Sequence, residues 1–400
     1  MTNCDIIVMG LQSWDIGIGS NCINIAKEFA VDNRVLYVNR ALDRVSSIKN
    51  KKDPKTARRL QSVRGEITDL TEVEKNIWVL DPTVVLESIN WMPAGLFAFF
   101  NKRNNRKLAG AIKAAGDRLG FKNPVLFVDN DFFRGQYLKE YLQPSYFIYY
   151  IRDYLLQQAY FKKHGPACEK DIMGKADLVV ANSSYLAQYA RQFNKNSHDI
   201  GQGCDFTYFN PDVQYKKPAD LEPVPNPVIG YVGALVGYRL NIPLLEGLAA
   251  RRPEWSFVFI GPEDESFQAS RLHQLSNVHF LGKKKETELA AYVSYFDVCM
   301  NPQLVNETTK GNYPRKVDEY LALGKPVVAT YTEFMLSFAD YVFLGHNVDD
   351  YERIIAGIIQ SPADQATVEK RQAFALSHTW KNSVLKIYHQ YHNALSNDRG

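Results

Sequence analysis

Short apolar runs recur along this chain, and helical periodicity follows most of them. Asp5–Gly10, residues 35–39, Ile77–Leu80, Val125–Asp129, Tyr146–Ile151 and Leu178–Ala181 read as buried strands. Residues 21–30, 107–119 and 185–193 read as helices lying between several of them. Strands apolar on both faces and alternating with helices predict a parallel sheet covered on both sides. The alternation pauses at residues 211–227, a proline- and charge-rich stretch without periodicity. It resumes with strands at Val228–Val232, Ser256–Ile260, 278–281, 297–301 and Val327–Thr330, and helices at 243–250 and 286–295. Residues 342–343 supply a last short strand. The expectation is two consecutive α/β domains, 1–210 and 228–378, joined by a linker at 211–227. Open sheets bind ligands at the carboxyl ends of their strands, so two of them imply a cleft.

Composition narrows the class. Four hundred residues exceed the roughly 250–300 at which one core stops growing. A net charge of +3 is too small to point to nucleic acid. Cys4, Cys22, Cys168, Cys204 and Cys299 are odd in number, scattered and free of any CxxC pair, which favours a reducing compartment. The opening MTNCDIIVMG has neither a basic region nor a long apolar core, so no signal peptide is expected. No apolar run reaches the roughly 18–20 residues of a membrane span. A cytoplasmic location is expected.

Residues 312–330, NYPRKVDEYLALGKPVVAT, carry the densest chemistry. A polar loop ends at Pro314, and an amphipathic helix over 315–323 follows, with Val317, Tyr320 and Leu321 on one face. Gly324 closes it where a left-handed conformation suits glycine. A helix N-terminus offers unpaired N–H groups and partial positive charge to a phosphate. Glu319, one turn in, can accept hydrogen bonds from a ribose diol. These are the parts of a sugar-nucleotide cradle, and equally those of an ordinary loop–helix–strand unit.

The ordered segments VIGYVGAL (228–235), WSFVFIGP (255–262), NVHFLGKK (277–284), FDVCMNP (296–302) and PRKVDEYLALGKPVVAT (314–330) resemble the donor domain of the retaining GT-B-fold glycosyltransferases, the GT4-like group 1 family. ADLVVANSSYL (176–186), IGQGCDFTYF (200–209) and HTWKNSV (378–384) are similar to the segments flanking that domain. The resemblance implies a GT-B fold: two Rossmann-like parallel-sheet domains facing a central cleft, acceptor domain first, with a closing helix over 379–400 that crosses back to it. It implies sugar transfer from a UDP- or GDP-type donor to a glycan or lipid-linked acceptor in cell-surface polysaccharide synthesis, with retention and without metal or other cofactor. Front-face displacement, in which a departing phosphate oxygen takes the acceptor proton, fits the lack of an evident nucleophile–base pair.

Site residues follow from the same resemblance. Arg239 and Lys316 would neutralise the leaving diphosphate, and Lys284 would assist. Glu319 matches the family glutamate on the ribose. The family's other glutamate would fall at position 311, which is Gly311 here; Glu307 could reach its space by another loop path, and backbone N–H groups of Gly311 and Asn312 offer a second route. Gly17 and Gly19, in the loop before the first helix, permit close backbone approach to the diphosphate. Trp14 and Asp15 in that loop, with Asp129 and Asp153 at strand ends, are the expected acceptor contacts. Asp129-Asn130-Asp131 has the D-x-D form of a metal site, but it precedes every donor-domain segment and reads as a cleft-edge loop.

Arg40, Arg44, Lys49, Lys51, Lys52, Lys55, Arg58, Arg59 and Arg64 crowd one region, and WMPAGLFAFFNKRNNRK (91–107) sets aromatics before a basic cluster. Apolar-plus-basic segments suit peripheral contact with an anionic leaflet, here the inner face of the plasma membrane; a core helix face and a solvated loop would look the same. A non-hydrolysing sugar-nucleotide epimerase and a silent sugar-nucleotide-binding protein stay open as alternatives.

Overall fold

The computed structural model describes residues 1–16, 20–306, 309 and 313–397. The chain forms two compact units, Met1–Gly201 with Trp380–Gly400, and Gln202–Thr379. Residues 202–227, which include the proline-rich stretch, belong to the second.

The first unit is built on an eight-stranded sheet. Its strands are β1 (Asp5–Gly10), β2 (Arg34–Val38), β3 (Leu70–Glu74), β4 (Ile77–Leu80), β5 (Val125–Asp129), β6 (Tyr146–Ile151), β7 (Leu178–Ala181) and β8 (Ser197–Asp199), in the order β8-β7-β6-β5-β1-β2-β4-β3. All neighbours run parallel except β3, which pairs antiparallel with β4 from Leu70 opposite Leu80. This hairpin departs from the all-parallel expectation. Its turn needs a left-handed residue, which Asn76 provides at φ 65°. The edge strand LTEVE is largely exposed, and its charges discourage further pairing.

The central strands are buried on both faces. One face is covered by the helix Asn21–Phe29 and by the last helix, Trp380–Asn397, whose Trp380, Val384 and Ile387 pack with Ile6, Val8, Phe29 and Phe127. Tyr388 stacks on Phe29 at 5.9 Å and receives a hydrogen bond from Asn33. The other face is covered mainly by the helices Ala94–Arg118 and Gly165–Lys175. Strand order reverses between β1 and β5, so the loops after Gly10 and Asp129 meet at the sheet's ligand-binding edge.

The second unit carries six parallel strands, β9 (Val228–Val232), β10 (Ser256–Ile260), β11 (Val278–Gly282), β12 (Val298–Asn301), β13 (Val327–Thr330) and β14 (Phe343–Gly345), ordered β11-β10-β9-β12-β13-β14. Its switch point lies between β9 and β12. Beside it, Gly233 (φ 140°) and Gly261 (φ 150°) let the loops after β9 and β10 touch, since a Cβ on Gly261 would stand 2.0 Å from the Gly233 carbonyl oxygen.

Two measurements test this packing. Ile387→Ala should cost the first unit about 2–5 kcal/mol in denaturant unfolding, whereas Leu385→Ala, on the exposed side of the same helix, should stay within about 0.5 kcal/mol. Glu169 is fully buried and accepts one hydrogen bond, from Tyr189 at 2.8 Å; burial lifts its carboxyl from the ordinary 4.5 to about 7, against the pull of Tyr189. The folded state therefore holds this proton more tightly than the unfolded chain. Its stabilising effect is complete below pH 4.5 and is lost as pH rises to about 7. Glu169→Gln should flatten the fall in stability across that window.

Candidate functional site

The helix Arg315–Ala322 starts after Pro314 with no side chain capping its N-terminus. Val317, Tyr320 and Leu321 bury its apolar face in the core beneath the sheet. The Tyr320 hydroxyl accepts the Val232 N–H at 2.8 Å, pinning the helix to the carboxyl end of β9. Lys316 points the same way. Its Nζ donates to the Tyr231 hydroxyl at 2.6 Å and lies beside Gly233, where a Cβ would come within 2.8 Å of it. The glycine thus makes room for the lysine at the strand end.

Glu319 sits one turn further along. Its side chain is 18% exposed and faces Arg315 at a loose 3.9 Å. Burial raises its pKa, while the charges of Arg315 and Lys316 pull it back. Among the described residues no donor hydrogen-bonds to its carboxylate, so its lone pairs remain available to a ligand.

Arg239 lies in the loop after β9, exposed beside its neighbour Tyr238. The loop after β12 clasps that turn: Leu304 N–H donates to the Arg239 carbonyl at 2.8 Å and the Asn306 amide to the Tyr238 carbonyl. The Gly237 N–H is held by Asp264 at 2.8 Å. Arg239, Lys316 and Glu319 therefore all stand on segments at the β9/β12 switch point. Lys284 differs. It forms an ion pair with Asp220 at 2.5 Å and lies over the Tyr292 ring, so its charge is already matched. Gly17, Gly19, Glu307, Gly311 and Asn312 lie outside the described residues.

In the first unit, the Trp14 ring packs edge-on against Tyr37 and the Trp14 backbone N–H donates to Asn39 Oδ1 at 2.7 Å. Asp15 pairs with Arg59 at 2.6 Å, and Arg59 also reaches Asp81. Part of the basic stretch thus holds this loop in place. Asp129 is fully buried and bound by Arg152 at 2.9 Å; Arg152 also pairs with Asp153, which is about half exposed. Asp131 caps the short helix Phe132–Gly135 and pairs with Arg134 at 3.3 Å. Both carboxylates of the D-x-D run are therefore engaged by arginines and buried. No group of three or more metal-ligating side chains occurs among the described residues.

Sequence reasoning missed Asp318. It is completely buried and accepts from Tyr313 Oη at 2.6 Å, from the Cys204 thiol at 3.4 Å and, when the ring nitrogen carries the proton, from His378 Nδ1 at 2.8 Å. One carboxylate thereby ties the helix that bears Lys316 and Glu319 to segments over a hundred positions upstream and sixty downstream. The available signal was an acid four positions before Ala322, on the rim of an otherwise apolar helix face.

Residues 226–359, about a third of the chain and wholly within the second unit, match the family described as Glycosyl transferases group 1. A Bacillus subtilis (strain 168) protein provisionally named a teichuronic acid biosynthesis glycosyltransferase, TuaH, is 25% identical over 226 residues. The match covers 54% of this chain and 56% of that protein, so the chain spans about half the length of the curated relative it matches. Among solved structures, Anabaena Alr3699/HepE in complex with UDP gives a TM-score of 0.64 at 18% identity, over 98% of this chain and 100% of that one. A Rickettsia africae glycosyltransferase gives 0.66 at 13%, over 99% and 100%. The two Rossmann-like parallel-sheet units are those of the GT-B fold. The similarity to the group 1 glycosyltransferase family thus lies within the second unit.

The Asp318 anchor has a measurable consequence. Asp318→Asn replaces an acceptor-only group by an amide and should destabilise the second unit by about 1–3 kcal/mol. Hydrogen exchange should show the loss first in the Arg315–Ala322 helix.

Proposed function

We propose that this protein transfers a sugar from a UDP-type nucleotide sugar to a glycan or lipid-linked acceptor in cell-surface polysaccharide synthesis, with retention of configuration and without a metal ion. The observation that carries this reading is the uncapped N-terminus of the Arg315–Ala322 helix beside two cations, Lys316 and Arg239, that have no carboxylate partner among the described residues. Such a constellation suits a diphosphate leaving group, whose developing charge needs fixed donors already in place. Glu319, with unused lone pairs, takes the ribose hydroxyls. Support for UDP comes from the Alr3699/HepE structures, which are complexes with UDP and with UDP-glucose. The TuaH name supports the polysaccharide context.

On this reading the acceptor hydroxyl attacks the anomeric carbon on the face from which the diphosphate departs, and a phosphate oxygen receives the proton. Lys316 and Arg239 hold the diphosphate; the chain supplies placement and charge rather than a base. Glu307, Gly311 and Asn312 keep roles beside the sugar, Gly17 and Gly19 a role at the phosphates, and Trp14, Asp15 and Asp153 a role toward the acceptor. Lys284 acts on the donor only by exchanging Asp220 for a phosphate.

Calorimetry without metal tests the donor half. UDP should bind more tightly than GDP, ADP, CMP or dTDP, and Glu319→Ala should weaken it by about 1–3 kcal/mol. Lys316→Met should lower the transfer rate by about 100- to 1,000-fold while the fold persists. Unaltered UDP affinity in folded Glu319→Ala would remove that residue from the site. Binding that appears only with manganese would overturn the metal-free reading. UDP binding without transfer to any lipid or glycan acceptor would leave a binding protein.

A further inference from the structure

The first unit holds a cavity of about 510 Å³ that none of the donor residues touches. That is within the roughly 300–1,000 Å³ range of small-ligand sites. The apolar part of its floor is Leu86, Phe97, Leu108 and Phe133, beside the buried side-chain amides of Asn101, Asn104 and Asn105. Two guanidinium groups line it, Arg40 after β2 and Arg134 after β5, both at the carboxyl edge of the sheet. Arg40 makes no side-chain hydrogen bond or ion pair among the described residues. Arg134 reaches Asp131 through one nitrogen, yet its buried Nε has no hydrogen-bond partner among the described residues. Repulsion from Arg134, ahead of burial, holds the Arg40 pKa below its ordinary value.

The carboxylates on the wall are already engaged. Asp43 accepts from the Ser46 N–H and hydroxyl and from the Ser88 hydroxyl, and Glu87 is held by Arg44 and Lys107. The cavity thus combines apolar side chains with Arg40, which has no hydrogen-bonded counter-ion among the described residues, and Arg134, which Asp131 holds through one nitrogen only. An arginine fork suits the paired oxygens of a phosphate, which it can hold through two parallel N–H bonds.

The rim is apolar and basic. Val45, Trp91 and Tyr160 line the opening and are 44%, 73% and 48% exposed. Ile48, Leu96 and Phe99, on the two helices flanking it, are 71%, 53% and 63% exposed. Exposed lysines and arginines follow directly, Lys49, Lys51 and Lys52 on one side and Lys102, Arg103 and Arg106 on the other. The ambiguity of residues 91–107 resolves residue by residue: Phe97 is core, whereas Leu96 and Phe99 face solvent.

We propose that this cavity binds the phosphate-bearing end of a membrane lipid, with Arg40 and Arg134 on the phosphate, the apolar floor around the first carbons of the chain and the Trp91–Phe99 rim against the bilayer. The inference deepens the lipid-linked acceptor reading and rests on it only for the acceptor's role.

The test uses the full chain and dihexanoylphosphatidic acid below its micelle concentration, with dihexanoylphosphatidylcholine and inorganic phosphate as comparison probes in calorimetry. The phosphatidic acid should bind at least about tenfold more tightly than either comparison. Arg40→Gln should remove that preference, and Trp91→Ala, an exposed change that leaves the core intact, should reduce the chain's sedimentation with phosphatidic-acid vesicles. UDP titration of the same samples reports separately on the donor site. Equal affinity for phosphatidylcholine, equal affinity for inorganic phosphate, or an Arg40→Gln protein that retains both UDP and phosphatidic acid binding would each overturn the proposal. Lipid binding without UDP binding would instead sink the donor reading and leave this one standing.

Discussion

A parallel sheet can expose neither face to water, so each strand must be returned by an element that covers it. That constraint organises both units. It places helices on each side of β1–β8 and β9–β14, and it leaves the carboxyl edges, where no helix can cover the strand ends, as the sites where loops collect. Trp14, Asp15 and the Asp129–Asp131 run stand at one such edge; Arg239, Lys316 and Glu319 stand at the other. The chemistry of this chain lies where cover ends.

At the carboxyl edge of the second sheet the placement of one helix is decisive. Helix packing through Val317, Tyr320 and Leu321 sets the depth of the Arg315–Ala322 helix but leaves its rotation only weakly determined, because apolar contacts have no direction. The Tyr320 hydroxyl on the Val232 N–H helps supply the direction, and so does the Asp318 carboxylate. Its acceptor geometry toward Tyr313, His378 and Cys204 orients the face that carries Lys316 and Glu319. Positioning residues of this kind need never touch substrate, yet they decide whether charged groups stand at working distance.

Most of the fold was legible because apolar strands and helical periodicity are local signals. The β3 edge strand was not, since LTEVE is too polar to read as buried and owes its strand to β4 alongside it. The long helix Ala94–Arg118 was read only from residue 107, because its first turns mix exposed Leu96 and Phe99 with core Phe97. On the donor side, Lys316 and Glu319 could be read as a pattern within one helix. Asp318 could not, because its partners come from Cys204 and His378, and no local pattern reports a contact across such separations. Lys284 shows the reverse case: its place after a strand suggested a phosphate, but Asp220, in a stretch that looked like a plain linker, had already paired with it.

The position of the last helix also sets the order in which this chain can fold. The face of the first sheet that bears Ile6, Val8 and Phe127 receives Trp380, Val384 and Ile387 from the far end of the sequence. On a ribosome, residues 1–201 emerge first, and the whole second unit is made before that cover exists. At about 5–20 residues per second this interval lasts roughly 10–40 s. The second unit is contiguous and can close on itself during that time. The first unit waits, part of one apolar face open to whatever chaperone or neighbouring nascent chain is at hand, until residues 380–397 have emerged.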